Sequence, residues 1–383
     1  MLRNLSLFEG ERLTLHDAID LSVASLKAYG ERYRHWAIAY SGGKDSTATV
    51  AFVLWALDNN HVTAPDSLTV LYADTRMELP PLQQAALNIL DTVRSYGADA
   101  RVVLPALDDR FYVYMLGRGV PPPKNRFRWC TPQLKIEPMH AALTELRDQA
   151  NQKLLMLTGV RLGESAARDQ RIAISCSKDS GECGQGWFQV ATPESLADTL
   201  APLLHWRLCH VYDWLYFDAD RHGFDTSGIA DVYGDDDIRT GCVACNLASR
   251  DNALERLLRQ PKWQHLQPLM ELRPLYAELT MAKSRKRKAD AELRQDGQYG
   301  QNAQRLGPLT MEARAYGLDR VLDIQQRANV DLINTEEEAR IRELWALNTW
   351  PQKWSGDEIN GDELIDAVTV NGFGELVRQP LLT

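Results

Sequence analysis

His35-Trp-Ala-Ile-Ala-Tyr-Ser-Gly-Gly-Lys-Asp-Ser46 is a largely apolar run that breaks into small and polar residues, after which the chain is apolar again over 47–57. This pattern predicts a strand, a tight loop and a helix. Two adjacent glycines let the loop turn with its amide hydrogens exposed, and the positive end of the following helix points at it. The loop therefore suits a bound phosphate group.

The loop differs from the common P-loop. That motif carries an additional glycine further upstream, at the position of Ile38 in this chain. An ordinary strand-to-helix turn rich in serine and glycine is the alternative interpretation of the same residues.

The composition is typical of a globular protein with more than one folding unit. The chain has 383 residues, of which 44% are hydrophobic and 25% are charged. Its formal net charge of -9 argues against bulk electrostatic binding to nucleic acid, although a local basic groove stays possible. The charged N-terminal stretch does not fit a signal peptide, and no segment offers the ~18 uncharged apolar residues of a membrane span. We therefore expect a cytoplasmic protein without a membrane partner.

Strand and helix patterns alternate through the first part of the chain. Beyond residue 248 the pattern is helical to about residue 347, and no strand is predicted there. The alternation predicts an α/β fold in which a mostly parallel sheet is flanked by helices. The predicted domains are an N-terminal helical segment (1–30), a nucleotide-binding domain with cysteine-rich loops (31–245) and an appended C-terminal helical domain (246–383).

Polar residues follow a strand predicted at 68–73. Ligands of parallel sheets sit beyond the carboxyl ends of the strands, which places Asp74, Thr75 and Arg76 at a binding edge. Capping of the helix that begins near Pro80 is the alternative role for Asp74 and for Glu78.

A second set of such residues follows a strand predicted at 154–160. Gly159, Arg161 and Arg168 would form another phosphate site on the same edge of the sheet. A solvated helix surface is the alternative for Arg168 and Arg171.

The loop 118–132 combines prolines, aromatic residues and cations with Cys130. Basic residues interleaved with aromatic ones suit a phosphate-bearing or single-stranded substrate. A solvated surface loop is the alternative, and the consecutive prolines fit it. Arg126, Arg128 and Lys135 should favour the thiolate of Cys130 and make it nucleophilic.

The cysteines do not indicate disulfides, because the cytosol keeps thiols reduced. Cys242 and Cys245 form a C-x-x-C, while Cys176 and Cys183 lie in a glycine-rich segment. These thiolates suit tetrahedral zinc or a four-iron cluster. A redox dithiol is the weaker alternative, because no thioredoxin-like pattern surrounds the C-x-x-C. Cys209 lies among apolar residues, which predicts a buried small hydrophobe.

The segment 283–288 is strongly basic within an acidic chain. A solvated helix face is the usual explanation of such a run, and a contact with a nucleic-acid backbone is the alternative.

Several motifs together resemble the phosphoadenosine phosphosulfate reductase-like family of PP-loop ATP pyrophosphatases. Within it the chain is most similar to the DndC-type enzymes of DNA phosphorothioation and to their shorter SspD-type counterparts. The motifs, in family order, are Ser41–Ser46, Asp74–Glu78, Trp129–Thr131, Gly159–Arg161, Gly241–Cys245, Gly307–Arg314 and Leu332–Glu338. The resemblance covers roughly residues 30 to 347.

The resemblance implies ATP-dependent adenylylation of a DNA backbone phosphate, with release of pyrophosphate, and replacement of a non-bridging oxygen by sulfur. In this scheme Lys44 neutralises charge in the transition state, and Asp45 positions Mg²⁺ or braces the loop. The residues that would hold the departing pyrophosphate are Ser41, Gly42, Gly43 and Ser46.

The resemblance also implies roles outside the loop. Asp74 and Arg76 would contact the nucleotide, and Arg161 and Arg168 would clamp phosphates from the opposite side. Cys130 would carry a persulfide or receive sulfur from a cysteine desulfurase, alongside other proteins of a phosphorothioation system. The four cysteines that would hold a [4Fe-4S] cluster are Cys176, Cys183, Cys242 and Cys245.

Other functions stay open. Sulfonucleotide reductases of this group commonly carry a C-terminal cysteine, and no cysteine follows Cys245. A cluster that uses Cys130 as a ligand is also an alternative. The competing functions are tRNA thiolation, sulfonucleotide reduction and a non-catalytic nucleotide-binding scaffold in a defence complex; the intact Lys44-Asp45 pair argues against the scaffold.

Overall fold

The computed structural model describes residues 13–164, 166–177, 181–182, 187–189, 195–234 and 240–381. The chain divides into two compact units. Unit 1 comprises Met1–Asp74, Glu78–Leu104 and Lys135–Gly241, and unit 2 comprises Thr75–Met77, Pro105–Leu134 and Cys242–Thr383. These units are discontinuous in sequence, and the contiguous domain boundaries at residues 30 and 245 stay a prediction. Within the described residues, no helix has both the length and the apolarity needed to cross a lipid bilayer.

Unit 1 is built on a seven-stranded sheet with the order β3-β2-β1-β4-β7-β6-β5. Its strands are β1 His35–Tyr40, β2 Ser67–Ala73, β3 Asp99–Val103, β4 Leu154–Leu157, β5 Gly181–Glu182, β6 Trp187–Gln189 and β7 Ala197–Ala201. The neighbours from β3 to β7 run parallel, and β6 and β5 add an antiparallel edge. The predicted mostly parallel α/β sheet is confirmed.

Helices cover this sheet. They are α1 Leu15–Ser25, α2 Lys44–Asp58, α3 Pro80–Ser95, α4 Glu137–Ala150, α5 Ala166–Ser177, α6 Leu208–Asp213 and α7 Ser227–Tyr233. Helix α2 is buried on nearly all sides, which is why its sequence lacks a polar stripe. Strands β1 and β2 are likewise almost continuously buried, as expected for central strands of a parallel sheet.

Strand β1 lies between β2 and β4. The chain winds from β1 to β2 and β3 on one side, and places β4 and β7 on the other. Ligands of open parallel sheets bind in the crevice at such a switch point, beyond the carboxyl ends of the strands. The loop 41–43 leaves β1 there, and the segment 158–161 leaves β4 at the same edge.

Unit 2 contains helices and short antiparallel strands. The helices are α8 Asn252–Leu257, α9 Leu272–Leu279, α10 Met311–Ala328 and α11 Thr335–Ala346, with a 3-10 helix at Pro261–Glu271. The strands are β8 Arg285–Arg287, β9 Leu306–Leu309, β10 Ile359–Asn360, β11 Ala367–Val370 and β12 Leu376–Gln379. The prediction that strands are absent beyond residue 248 is therefore wrong. Strand β8 consists of cations and β9 contains Gly-Pro, so neither shows the apolar alternation that marks a strand.

Candidate functional site

The loop after β1 is shaped by its glycines and serines. Gly42 has a φ of 74°, a conformation that favours glycine, and Gly43 is the N-cap of α2. The Ser46 hydroxyl donates to the Gly43 carbonyl at 3.0 Å and lies 3.2 Å from the Ser41 hydroxyl. The first amides of α2 have no acceptor within the helix, and they begin at this loop. The predicted strand, loop and helix are confirmed, and the geometry is suited to a phosphate group.

A cavity of about 600 Å³ opens beside this loop within unit 1. Such a volume lies in the range of small-molecule sites. Its lining residues are Ala39, Tyr40, Ser41, Gly43, Lys44, Asp45, Ser46, Ala73, Lys135, Met139, Gly159, Val160, Glu164, Tyr233 and Thr240. Tyr233 and Thr240 were not expected in the site, because they lie in a turn-rich segment without a recognisable motif.

Tyr233 packs against the lysine of the loop. The Lys44 Nζ lies 4.8 Å from the centre of the Tyr233 ring and 3.5 Å from the Asp45 carboxylate. The Tyr233 hydroxyl shares a hydrogen bond with Thr240, and burial raises the pKa of Tyr233, which keeps the phenol neutral. The ammonium group is thus held between a carboxylate and the face of a buried ring.

Replacing Tyr233 tests this contact. If the cavity binds ATP, as the resemblance implies, we expect Tyr233→Leu to raise the KM for ATP roughly 3- to 30-fold, because a cation–π contact of this size no longer orders Lys44 before the nucleotide binds. Tyr233→Phe keeps the ring and loses only the hydroxyl, and should stay close to wild type. Steady-state kinetics of pyrophosphate release measure the difference. Equal KM values for the leucine and phenylalanine variants would contradict a role for the ring.

Arg161 forms an ion pair with the loop. Its Nε donates to the Asp45 Oδ1 at 2.5 Å, and its Nη1 donates to the Trp206 carbonyl at 3.2 Å. Arg161 is 5% exposed, so this pair is shielded from water. Asp45 is placed to brace the loop, which was one of its two implied roles. The implied contact of Arg161 with a phosphate stays a prediction, as does Mg²⁺ binding by Asp45.

Gly159 lets β4 approach α2 closely. A Cβ atom at this position would lie 2.8 Å from the carbonyl carbon and oxygen of Asp45 and from the amide nitrogen of Ser46. These are backbone atoms of the first turn of α2 and cannot rotate away. Gly159 therefore has a steric role beside the loop.

Gly159→Ala should displace the loop and weaken ATP binding. Overpacking of about 1–3 kcal/mol corresponds to a roughly 5- to 150-fold rise in Kd, measured by equilibrium titration with ATP. Gly241→Ala is the matched control in the same unit, because a Cβ there meets nothing within 4 Å. If both variants bind ATP like wild type, the close approach does not shape the site.

The residues after β2 divide between the two units. Asp74 in unit 1 accepts a hydrogen bond from the Gln83 amide at 3.2 Å, and Thr75 is fully buried. The N-cap of α3 is Leu79, so neither Asp74 nor Glu78 occupies the capping position proposed as their alternative role.

Arg76 is tied to carboxylates of unit 2. It has a φ of 61° and donates to Asp331 at 2.9 Å and to Glu337 at 3.2 and 3.3 Å. Glu337 is 2% exposed and also accepts from Arg110. The implied contacts of Asp74, Thr75 and Arg76 with a nucleotide stay predictions.

Cys130 and the C-x-x-C lie in unit 2. Burial raises the pKa of the Cys130 thiol, and the nearby Cys245 raises it further. The prediction that neighbouring cations favour its thiolate is wrong in direction, because Arg126 and Arg128 are exposed to solvent, which screens their charges. Cys242 and Cys245 form a turn in which the Cys245 amide donates to the Cys242 carbonyl at 3.1 Å.

The predicted four-cysteine metal site is only partly within the described residues. Cys183 lies outside them, and Cys176 lies in α5 with its side chain outside the description. Across the described parts of the chain, no three or more His, Cys, Asp or Glu side chains form a metal-binding group. The cluster and its zinc alternative therefore stay predictions. The side chain of Arg168, also in α5, is likewise not described.

Cys209 is exposed, so the prediction of a buried cysteine is wrong. It lies in the first turn of α6, where the buried face is formed by His210, Val211 and Tyr212. Apolar neighbours along the sequence do not share its side of the helix.

The cations of the basic run 283–288 largely contact acceptors within unit 2. Lys283 pairs with Glu278 and Lys288 with Glu358, each at 2.9 Å. Arg285 donates to the carbonyls of Gly307 and Leu306, and Arg287 donates to the carbonyl of Glu363. The run includes strand β8 and is not a helix face, and these four cations have partners within unit 2.

Comparison with known proteins finds a family model that matches much of unit 1. Residues 35–221 match the family model of the phosphoadenosine phosphosulfate reductase domain. This part of the chain, just under half of its length, is therefore similar to that domain. An uncharacterized protein of Methanocaldococcus jannaschii, MJ0066, is 24% identical over 208 residues, which are 54% of this chain and 35% of that protein. The chain thus spans about a third of the length of this curated relative.

Two solved structures are remotely similar. The phosphoadenylyl-sulfate reductase of Candida auris, in a phosphate complex, has a TM-score of 0.33 at 11% identity and covers 54% of this chain and 88% of its own. The U34-tRNA thiolase NcsA of Methanococcus maripaludis, with its [4Fe-4S] cluster, has a TM-score of 0.37 at 13% identity and covers 70% of this chain and 82% of its own.

Proposed function

We propose that the protein is an ATP pyrophosphatase and sulfurtransferase of DNA phosphorothioation. The proposal that the protein binds ATP rests on the loop 41–46. This loop begins a buried helix at the switch point of the sheet and places Lys44 at a cavity of about 600 Å³. The motif resemblance to the DndC and SspD types supports DNA as the substrate. The match of residues 35–221 to a sulfonucleotide-reductase domain supports chemistry that joins a nucleotide to sulfur.

In the proposed reaction an oxygen of a DNA phosphodiester attacks the α-phosphorus of ATP, and pyrophosphate leaves. The loop amides and the hydroxyls of Ser41 and Ser46 bind the departing phosphates, while Lys44 offsets the negative charge that develops on them. Mg²⁺ would neutralise further charge when bound. The buried Asp45–Arg161 pair keeps the loop in one conformation, so its donors need no reorganisation during the reaction.

Sulfur then replaces the activated oxygen. A persulfide on Cys130 attacks the DNA phosphorus, and AMP leaves with the oxygen that joined it to DNA. A second thiol attacks Cys130 Sγ, which releases the sulfur on DNA and leaves a disulfide to be reduced. The raised pKa of Cys130 means that the resting thiol is protonated at neutral pH, whereas a persulfide is the more acidic species that reacts as an anion.

The test is product analysis after anaerobic incubation with ATP and Mg²⁺. We expect AMP and pyrophosphate, and phosphorothioate dinucleotides in digested DNA when a cysteine desulfurase and cysteine are added. Formation of ADP and phosphate would refute the pyrophosphatase assignment. The DNA could instead lack phosphorothioates while cells that carry the active protein contain a thiolated tRNA base. That result would show that the substrate is tRNA and not DNA.

Sulfonucleotide reduction is the second candidate, because the matched domain model is that of a reductase. Sulfite release from phosphoadenosine phosphosulfate in the presence of a dithiol protein would support it. The same incubation without ATP separates the two candidates, since reduction of a preformed sulfonucleotide needs no pyrophosphate release from ATP.

A further inference from the structure

The segment 121–129 of unit 2 forms a small hairpin. Lys124 and Phe127 exchange both backbone hydrogen bonds, with N–H to carbonyl distances of 3.2 and 2.8 Å, and Asn125-Arg126 form its tip. All of residues 124–128 are exposed. The side chains of the hairpin therefore extend into solvent from a turn that one antiparallel backbone bridge closes.

The base of the hairpin is held firmly. The Trp129 indole donates to the Pro121 carbonyl at 3.1 Å and stacks on Phe111 with ring centres 5.4 Å apart. The Asn246 side-chain amide donates to the Pro123 carbonyl at 2.7 Å. The ring of Trp129 is thus occupied within the protein, whereas Phe127 has 49% of its surface exposed. Packing in the interior of unit 2 therefore does not explain why an aromatic residue is present at position 127.

The cations of the hairpin differ from the other basic residues of the loop. Within the described ranges, Lys124, Arg126 and Arg128 form no ion pair, and Arg128 donates only to the Asn125 side chain at 3.0 Å. By contrast, Arg118 pairs with Asp109 at 3.7 Å and lies over the ring of Tyr114. Among the residues that the structure describes, the charges of the hairpin therefore have no ion-pair partner that accounts for them.

We infer that this hairpin is a docking site for a single-stranded nucleic acid. Lys124, Arg126 and Arg128 contact backbone phosphates, and the ring of Phe127 stacks on an unpaired base. A duplex hides the faces of its bases, so an exposed ring amid cations matches a single strand. Cys130 follows directly in the chain, which brings the bound backbone close to the proposed sulfur carrier. The inference rests on the proposed function only for what happens to the strand after binding.

Binding of a fluorescein-labelled oligo-dT tests the cations. Lys124, Arg126 and Arg128 are replaced together by glutamine, and the control replaces the exposed cations Arg259, Arg294 and Lys353 of the same unit by glutamine. Both variants lose the same charge. For the hairpin variant, we expect the slope of log affinity against log salt to fall by about 2 and the affinity at 0.1 M salt to fall on the order of 100-fold. The control should bind like wild type.

Replacing Phe127 tests the stacking. Phe127→Leu should weaken oligo-dT binding roughly 5- to 150-fold without changing the salt slope, because the leucine keeps apolar bulk and loses the flat ring. Phe373→Leu is the control, since Phe373 is 92% exposed in the same unit. If the triple variant fails to fold, the Phe127→Leu variant still tests the inference.

Three outcomes would overturn the inference: equal losses in the hairpin and control variants, tighter binding to duplex than to single strand, or equal competition by polyglutamate. Comparison of oligo-dT with oligo-U assigns the strand to DNA or RNA, and either preference supports a single-strand site. A wild-type protein that binds the strand but forms no pyrophosphate from ATP would refute the proposed function and leave this inference standing.

Discussion

Lys44→Ala is expected to lower pyrophosphate release from ATP by roughly 10²- to 10³-fold, the usual loss when one preorganised group that stabilises transition-state charge is removed. Lys44 lies at the start of α2, is 7% exposed and lines the cavity beside the loop 41–43. The loss should appear mainly in kcat, because the developing charge on the leaving phosphates is greatest in the transition state.

Lys44→Arg is the matched comparison. It keeps the charge but cannot place a point charge in the same narrow space beside Tyr233 and Asp45. We expect an intermediate rate. The measurement is single-turnover pyrophosphate release with saturating ATP, which separates chemistry from nucleotide binding. An alanine variant with an unchanged single-turnover rate would show that Lys44 does not act in this step.

Asp45→Asn is expected to destabilise the loop by about 3–5 kcal/mol, because it leaves the buried Arg161 guanidinium without its carboxylate. Arg161 is 5% exposed, and its side chain also donates to the Trp206 carbonyl. The cost should be local to the start of α2 and the end of β4. Hydrogen exchange of peptides from α2, read by mass spectrometry, reports this local opening.

A double-mutant cycle isolates the pair. Arg161→Met removes the cation and keeps apolar bulk, and Asp45→Asn/Arg161→Met removes both charges. We expect the double variant to be more stable than the sum of the single effects predicts, by at least about 1 kcal/mol. Strict additivity would show that the two side chains act independently.

The sequence determined the strand, loop and helix of residues 35–57 by local rules. A buried strand, a Gly-Gly turn and a helix are each specified by residues adjacent in the chain, so the pattern of 35–57 predicted them directly. The same holds for the parallel sheet, whose central strands are long apolar runs. The sequence did not predict strand β7 or the antiparallel edge strands β5 and β6, because these strands are short and contain both polar and apolar residues.

Only the tertiary structure decided which charged and polar side chains have internal partners. The basic run 283–288 has the composition of a nucleic-acid contact, yet its cations meet carboxylates and carbonyls from other segments of unit 2. The less conspicuous hairpin cations have no ion-pair partner in the described parts of the chain. The sequence shows how many charges a segment has. Whether those charges are buried or form ion pairs depends on segments that are far apart in the chain.

The loop 41–46 shows the same division. Its shape follows from Gly42 and Gly43, which are visible in the sequence. Its rigidity comes from Arg161 and Tyr233, which reach Asp45 and Lys44 only because β4 and α7 fold against the start of α2. Backbone conformation is governed by neighbouring residues, but the restraint of a side chain requires packing partners that only the folded chain brings together.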